Sequence, residues 1–145
     1  MKKLVLFLSL CIYSFAITPY SLENIKEVNL KFLNKKETIS KALEEKITKK
    51  LKEELEKLGI KTETDKYSNF LIKVKINKFD KTQFVQTSIF IVEDITPARD
   101  KNIETIAITY KKDDSFEAEE LEADIYESII DYLLEDFKEQ YKSEN

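Results

Sequence analysis

The chain contains one glycine, Gly59, and it falls where a helical pattern stops. Ahead of it, Ile39, Leu43, Ile47, Leu51, Leu55 and Leu58 recur at spacings of four or three, with Ala42 on the same broad face. That spacing predicts a helix over residues 38–58. A left-handed residue closing such a helix is best supplied by glycine, so backbone geometry accounts for this one. Glu45 with Lys49 and Glu53 with Lys57 have favourable i,i+4 spacing on the solvent side. At the helix start, Asn34 and Glu37 have capping-box spacing, while Thr38 or Ser40 can serve as the cap instead.

On either side the hydrophobic period changes to two. Val28, Leu30 and Phe32 alternate with Asn29 and Lys31, the pattern of a half-buried strand. Phe70, Ile72, Val74 and Ile76 alternate with Lys73, Lys75 and Asn77, a second strand with one wet face. Residues 84–92 form a third, with Val85, Thr87, Ile89 and Ile91 on one side and Phe84, Gln86, Ser88, Phe90 and Val92 on the other. Residues 94–102, with Pro97 and several charges, read as a loop. Ile106, Ile108 and Tyr110 then alternate with Thr105, Ala107 and Thr109 as a fourth strand.

Asp113-Asp114-Ser115 precedes an expected C-terminal helix over residues 116–141, with Asp114 and Glu117 at capping-box spacing. Leu121, Ile125, Ile129, Tyr132 and Leu133 form its core stripe. Tyr126, Ile130, Leu134 and Phe137 widen it beyond what one sheet face needs. The order is β-α-β-β-β-α, and a right-handed crossover makes the first two strands parallel if they share a sheet. The expected architecture is an α+β two-layer sandwich: a mixed four-stranded sheet with two helices on one face. No repeat or linker divides it.

The N-terminus carries a different signal. Lys2 and Lys3 precede an apolar run over residues 4–15, and Ser14-Phe15-Ala16 offers small residues at the positions a signal peptidase reads. Residues 1–16 therefore read as a secretory signal peptide, too short to span a bilayer, with an uncleaved anchor as the alternative. Lipidation at Cys11 is the other possibility for this segment. Leu10 before it is bulky, and the apolar run continues through Ile12, Tyr13 and Phe15. Cleavage after Ala16 removes two lysines and no acid from the 145 residues, leaving a single domain of 129 residues, 17–145, with net charge moving from −4 to −6. The expected location is the periplasm, with association to the outer membrane open.

Absences narrow the chemistry further. The chain has no His and no Trp, and its one Cys lies in the leader. The usual general base, the commonest zinc ligand and the thiolate nucleophile are thus missing from residues 17–145. One glycine cannot build a phosphate-cradling loop. A net-negative domain with interspersed lysines is also a poor fit for nucleic acid. No catalytic residue, cofactor or metal is expected.

Three groups of residues invite a site. Lys73, Lys75 and Lys78, flanked by Lys61, Lys66 and Lys81, suggest a cationic strip for an anionic glycolipid; a solvated edge gives the same pattern. Phe84, Phe90, Val92 and Ile95, with Tyr126, Ile130 and Leu134, are apolar positions left over once one sheet face and one helix stripe are buried. They suggest a partner surface or self-association, or else a thick core. Glu117, Glu119, Glu120, Glu122 and Asp124 read as a solvated helix start, not a calcium loop. Asp94 with Asp100, Asp113 with Asp114, and Glu135 with Asp136 are the acid pairs that a carboxylate-dependent hydrolase would draw on.

The run Ile25-Lys26-Glu27-Val28-Asn29-Leu30-Lys31-Phe32-Leu33-Asn34, the helix over 39–58, and Phe70-Leu71-Ile72-Lys73-Val74-Lys75-Ile76 before a meander and helix together resemble a family. It is the small lipopolysaccharide-assembly lipoprotein family of the outer membrane, in which a strand ending Phe-x-Asn leads into a helix and an I-x-V-x-I strand follows. The resemblance implies a non-enzymatic protein that binds an outer-membrane β-barrel and helps deliver lipopolysaccharide. An adaptor of another envelope-assembly or secretion system is the alternative.

Overall fold

The computed structural model describes residues 21–33 and 38–145, so the expected signal peptide, Cys11 and the Asn34/Glu37 capping alternative lie outside the described residues. Strand β1 (Asn29–Leu33), helix α1 (Lys41–Lys57) and strands β2 (Ser68–Phe79), β3 (Thr82–Ile95) and β4 (Thr105–Ala118) follow in that order. The final helix, α2, is α-helical over Leu121–Glu127, makes a π turn over Ser128–Leu133, and is α-helical again over Leu134–Glu144. The sheet order is β1-β2-β3-β4, with β1 parallel to β2 and the other pairs antiparallel. This is the expected α+β sandwich.

Local capping sets the limits of α1. Ser40 is the cap: its Oγ accepts from Leu43 N–H at 3.2 Å, while its carbonyl accepts from Glu44. At the other end, Gly59 adopts φ +80, its N–H donates to Glu56, and Ile60 N–H donates to Leu55. That is a Schellman closure, with Ile60 buried behind it. The chain then meets the segment before β1: Val28 N–H donates to Lys61 O, and Lys61 N–H to Lys26 O. Asn29 pins the connection, donating to Lys66 O and accepting from Thr64 N–H. β2 therefore enters beside β1 in parallel register.

β4 departs most from expectation. It runs to Ala118, so Asp113, Asp114, Ser115, Phe116 and Glu117 are strand residues and the Asp114/Glu117 capping box does not form. The strand continues because its polar core-side positions find partners. Lys112 Nζ lies 2.6 Å from an Asp136 carboxylate oxygen, and Asp114 accepts from Ser128 Oγ at 2.7 Å. Ser128 Oγ in turn lies 2.6 Å from Thr87 Oγ1, which sits opposite Asp114 in register. Asp124 takes over the start of α2, its Oδ2 accepting from the N–H groups of Glu119 and Glu120. A bulge at Thr109 also changes the phase of β4, because Ile91 faces Tyr110 while Val92 faces Ile108. Ile106 and Ile108 consequently leave the side that Tyr110 occupies.

Glu54 ties the two helices together. It is nearly buried, and its carboxylate receives Lys57 at 2.8 Å, Lys50 at 3.0 Å and Lys138 of α2 at 2.9 Å. Lys57 thus pairs with Glu54 where the sequence had suggested Glu53. Hydrogen bonds from Lys57, Lys138 and Lys50 hold the Glu54 carboxyl far below its ordinary value.

Two predictions follow from these joints. Gly59→Ala should lower stability by about 1 kcal/mol through the left-handed backbone alone. A Cβ there meets nothing within 4 Å, so Gly59→Asn should cost less in the same urea titration. For Glu54, whose folded pKa is depressed, the stabilisation is fully present above the unfolded value of 4.5 and is lost as pH falls below it. Glu54→Gln should cost about 2 kcal/mol at neutral pH, and its deficit should shrink as both proteins are titrated towards pH 3.

Candidate functional site

Both helices cover the same face of the sheet. Leu30, Phe70, Ile72, Val74, Val85, Thr87, Ile89, Ile91 and Tyr110 point towards them, joined by Ile125, Ile129, Leu133 and Phe137. No helix or strand among the described residues covers the other face. Alternation and register place its side chains in rows across the sheet. One row runs Asn69, Val92, Ile108; the next Lys31, Leu71, Phe90, Lys111; then Leu33, Lys73, Ser88, Asp113; then Lys75, Gln86, Ser115. Phe84 follows beside Asn77 and Glu117. Its ring meets Phe79 edge-on, with centroids 6.1 Å apart.

This arrangement divides the expected contact residues. Phe84, Phe90 and Val92 share the uncovered face, as expected. Ile130 and Leu134 are instead buried in the core, and Tyr126 is half-buried on α2 with Lys46 Nζ 4.1 Å from its ring centre. These three therefore cannot join the strand residues in one surface. The helix stripe was needed for packing, so the thick-core reading holds for Ile130 and Leu134. Tyr132, expected in the stripe, is 47% exposed.

The lysines divide by the same parity. Lys73 and Lys75, two residues apart, lie together on the uncovered face; Lys78, three residues beyond Lys75, belongs to the opposite side with Val74 and Ile76. Lys66 is engaged elsewhere, 2.6 Å from Glu27. Lys111, missed by the sequence reading, takes the place expected of Lys78. With Lys73, Lys75, Gln86, Ser88, Phe90, Ile108 and Asp113 it lines a depression of about 220 Å³. Asp113 accepts from Ser88 Oγ at 2.6 Å and pairs with Lys111 at 2.8 Å. Burial works to raise its pKa, but Lys111 and Ser88 hold the carboxyl below its ordinary value. The floor is thus a fixed carboxylate ringed by cations, beside apolar side chains.

Two of the three acid pairs are drawn apart or engaged: Asp113 and Asp114 point to opposite faces, while Asp136 is bound to Lys112 and Glu135 lies 2.7 Å from Lys138. Glu117 lies on β4, whereas Glu122 and Asp124 lie on the first turn of α2. Among the described residues, no three His, Cys, Asp or Glu side chains group so as to hold a metal ion. Leu71, Ile106 and Ile108 complete the apolar part of the uncovered face. The first was legible from its place between Phe70 and Ile72; the other two were hidden by the bulge.

Compared with known proteins, the chain matches no family model and no curated protein.

The division of side chains is directly measurable. Ile130→Ala and Leu134→Ala should each cost 2–5 kcal/mol, roughly, as buried truncations. Phe84→Ser and Phe90→Ser should each cost less than about 1 kcal/mol, since both rings keep contact with water. Chemical denaturation of the four variants checks the ordering.

Proposed function

We propose that this protein is a non-enzymatic envelope component that assists lipopolysaccharide transport and assembly at the outer membrane by binding a β-barrel protein. The observation that carries this reading is the uncovered sheet face, where Phe84, Phe90, Val92, Leu71 and Ile108 stand beside Lys73, Lys75 and Lys111. Lipopolysaccharide joins phosphates to acyl chains, and a face that mixes lysines with apolar side chains suits both parts. The apolar half of the same face suits a barrel wall. The export signal over residues 1–16 and the resemblance of the β-α-β-β-β-α chain to lipopolysaccharide-assembly lipoproteins point the same way.

The test is affinity purification of a C-terminally tagged protein from detergent-solubilised native envelopes, with mass spectrometry of its companions and its N-terminus. Recovery of a lipopolysaccharide-transport barrel supports the reading, and an N-terminus at Ile17 identifies cleavage after Ala16. Lys73→Glu with Lys75→Glu should reduce co-purifying lipopolysaccharide while the fold, followed by circular dichroism, is retained. A protein recovered without any barrel overturns the proposal.

A further inference from the structure

The hairpin of β2 and β3 outruns the core. Val74 is the last buried residue of β2 and Val85 the first of β3, while residues 77–81 are all exposed. A turn of two residues, Asp80 and Lys81, joins the strands, with Phe79 opposite Thr82. Asp80 takes φ +50 there, a backbone conformation that aspartate tolerates better than most residues. Its presence in the turn is thus explained by geometry.

Two phenylalanines occupy the tip. Phe79, at 66%, is the most exposed large hydrophobic residue among those described, and Phe84 is 44% exposed. Their edge-on contact makes one convex apolar knob of the two rings. Lysines stand around it. Lys75 shares the bare face with both rings, Lys78 projects from the opposite face, and Lys81 lies in the turn. Among the described residues none of the three has an acid within 4 Å. Residues 75–86 thus hold three lysines against Asp80, in a chain of net charge −4. Glu117 stands opposite Phe84 on β4, with β3 between it and β2, and Glu119 and Glu120 lead into α2.

A convex apolar tip with cations behind it suits the border of an anionic bilayer. Aromatic rings are stabilised on leaving water for the boundary between headgroups and acyl chains. Lysine stems can lie along the same apolar surface while their ammonium groups stay level with the lipid phosphates. Each lysine close to such a surface adds attraction that fades within a Debye length. With cations on both faces of the sheet behind the rings, a tip-first approach brings rings and charges to matching depths.

We propose that the hairpin tip over residues 77–82 docks on an anionic phospholipid bilayer, with Phe79 and Phe84 in the headgroup boundary and Lys75, Lys78 and Lys81 against the lipid phosphates. The inference goes beyond the barrel-binding reading and does not rest on it, since Lys78, Phe79 and Lys81 take no part in that reading.

Co-sedimentation of the purified protein with vesicles tests it. Binding is expected to vesicles of equal parts phosphatidylglycerol and phosphatidylcholine, and should be at least about tenfold weaker on phosphatidylcholine alone. Phe79→Ser, and separately Lys78→Glu with Lys81→Glu, should each weaken binding to the anionic vesicles at least about tenfold. All three positions are exposed, and thermal melts followed by circular dichroism establish that the variants are folded. The chain has no Trp, so Phe79→Trp puts its one indole at the tip. Its emission should shift to the blue and be quenched by brominated acyl chains, whereas that of Tyr132→Trp, on α2, should not. This readout separates insertion of the tip from attachment through the N-terminus. Absence of binding, equal binding to both kinds of vesicle, or an indole at residue 79 that stays in water on bound protein each overturns the proposal.

Discussion

α2 has to lay Ile125, Ile129, Leu133 and Phe137 on one sheet face although they are spaced four apart. In a regular α-helix each such step overshoots a full turn by about 40°, and the stripe would wind away from the sheet. The π turn over Ser128–Leu133 takes more residues per turn and winds it back. Ile130 and Leu134 come inside with their neighbours, and Ser128 meets Thr87 and Asp114. Phe137 then reaches Phe70 and Tyr110, with ring centres 5.3 and 5.4 Å away and both contacts edge-on. Burial pushes the Tyr110 hydroxyl up to about 12.

Because α2 spends its apolar width on the core, most of the apolar surface left exposed lies on the sheet. Charge follows the same division. α2 carries eight acids against Lys138 and Lys142, while the middle rows of the bare sheet face hold Lys31, Lys73, Lys75 and Lys111 against Asp113. An anionic ligand approaching the helical side is repelled, and one approaching the sheet meets cations first.

The parts of this fold legible in the sequence are those decided by neighbours in the chain. Ser40 and Gly59 delimit α1 through bonds within four or five residues, and β2 and β3 show their faces by simple alternation. β4 was misread because its core-side Lys112 and Asp114 are stabilised by Asp136 and Ser128, whose approach depends on the completed fold. Thr109 compounded the error by inverting the phase of Ile106 and Ile108. The surplus width of the C-terminal stripe suggested a partner surface, because nothing local in the sequence announces a π turn. The separation of Lys78 from Lys73 and Lys75, by contrast, follows from counting residues along β2.

The carboxylates bear on whether the bare face holds a ligand or transforms one. Glu93 is fixed between Ser68 Oγ at 2.9 Å and Thr109 Oγ1 at 2.6 Å. Glu144 accepts from Leu22 N–H, Gln140 and Ser21, while Tyr141 donates to Ile25 O, so the end of α2 clamps the segment that leads into β1. Glu27, Glu54, Asp113 and Glu144 are all held below their ordinary values. A carboxylic acid that donates a proton near neutral pH needs the opposite displacement, produced by an apolar pocket or a second carboxylate. Glu27, Glu54, Glu93, Asp113 and Glu144 are instead acceptors committed to lysines, hydroxyls and amides; of these five, Asp113 lies on the bare face, where it holds Lys111 and Ser88 in place.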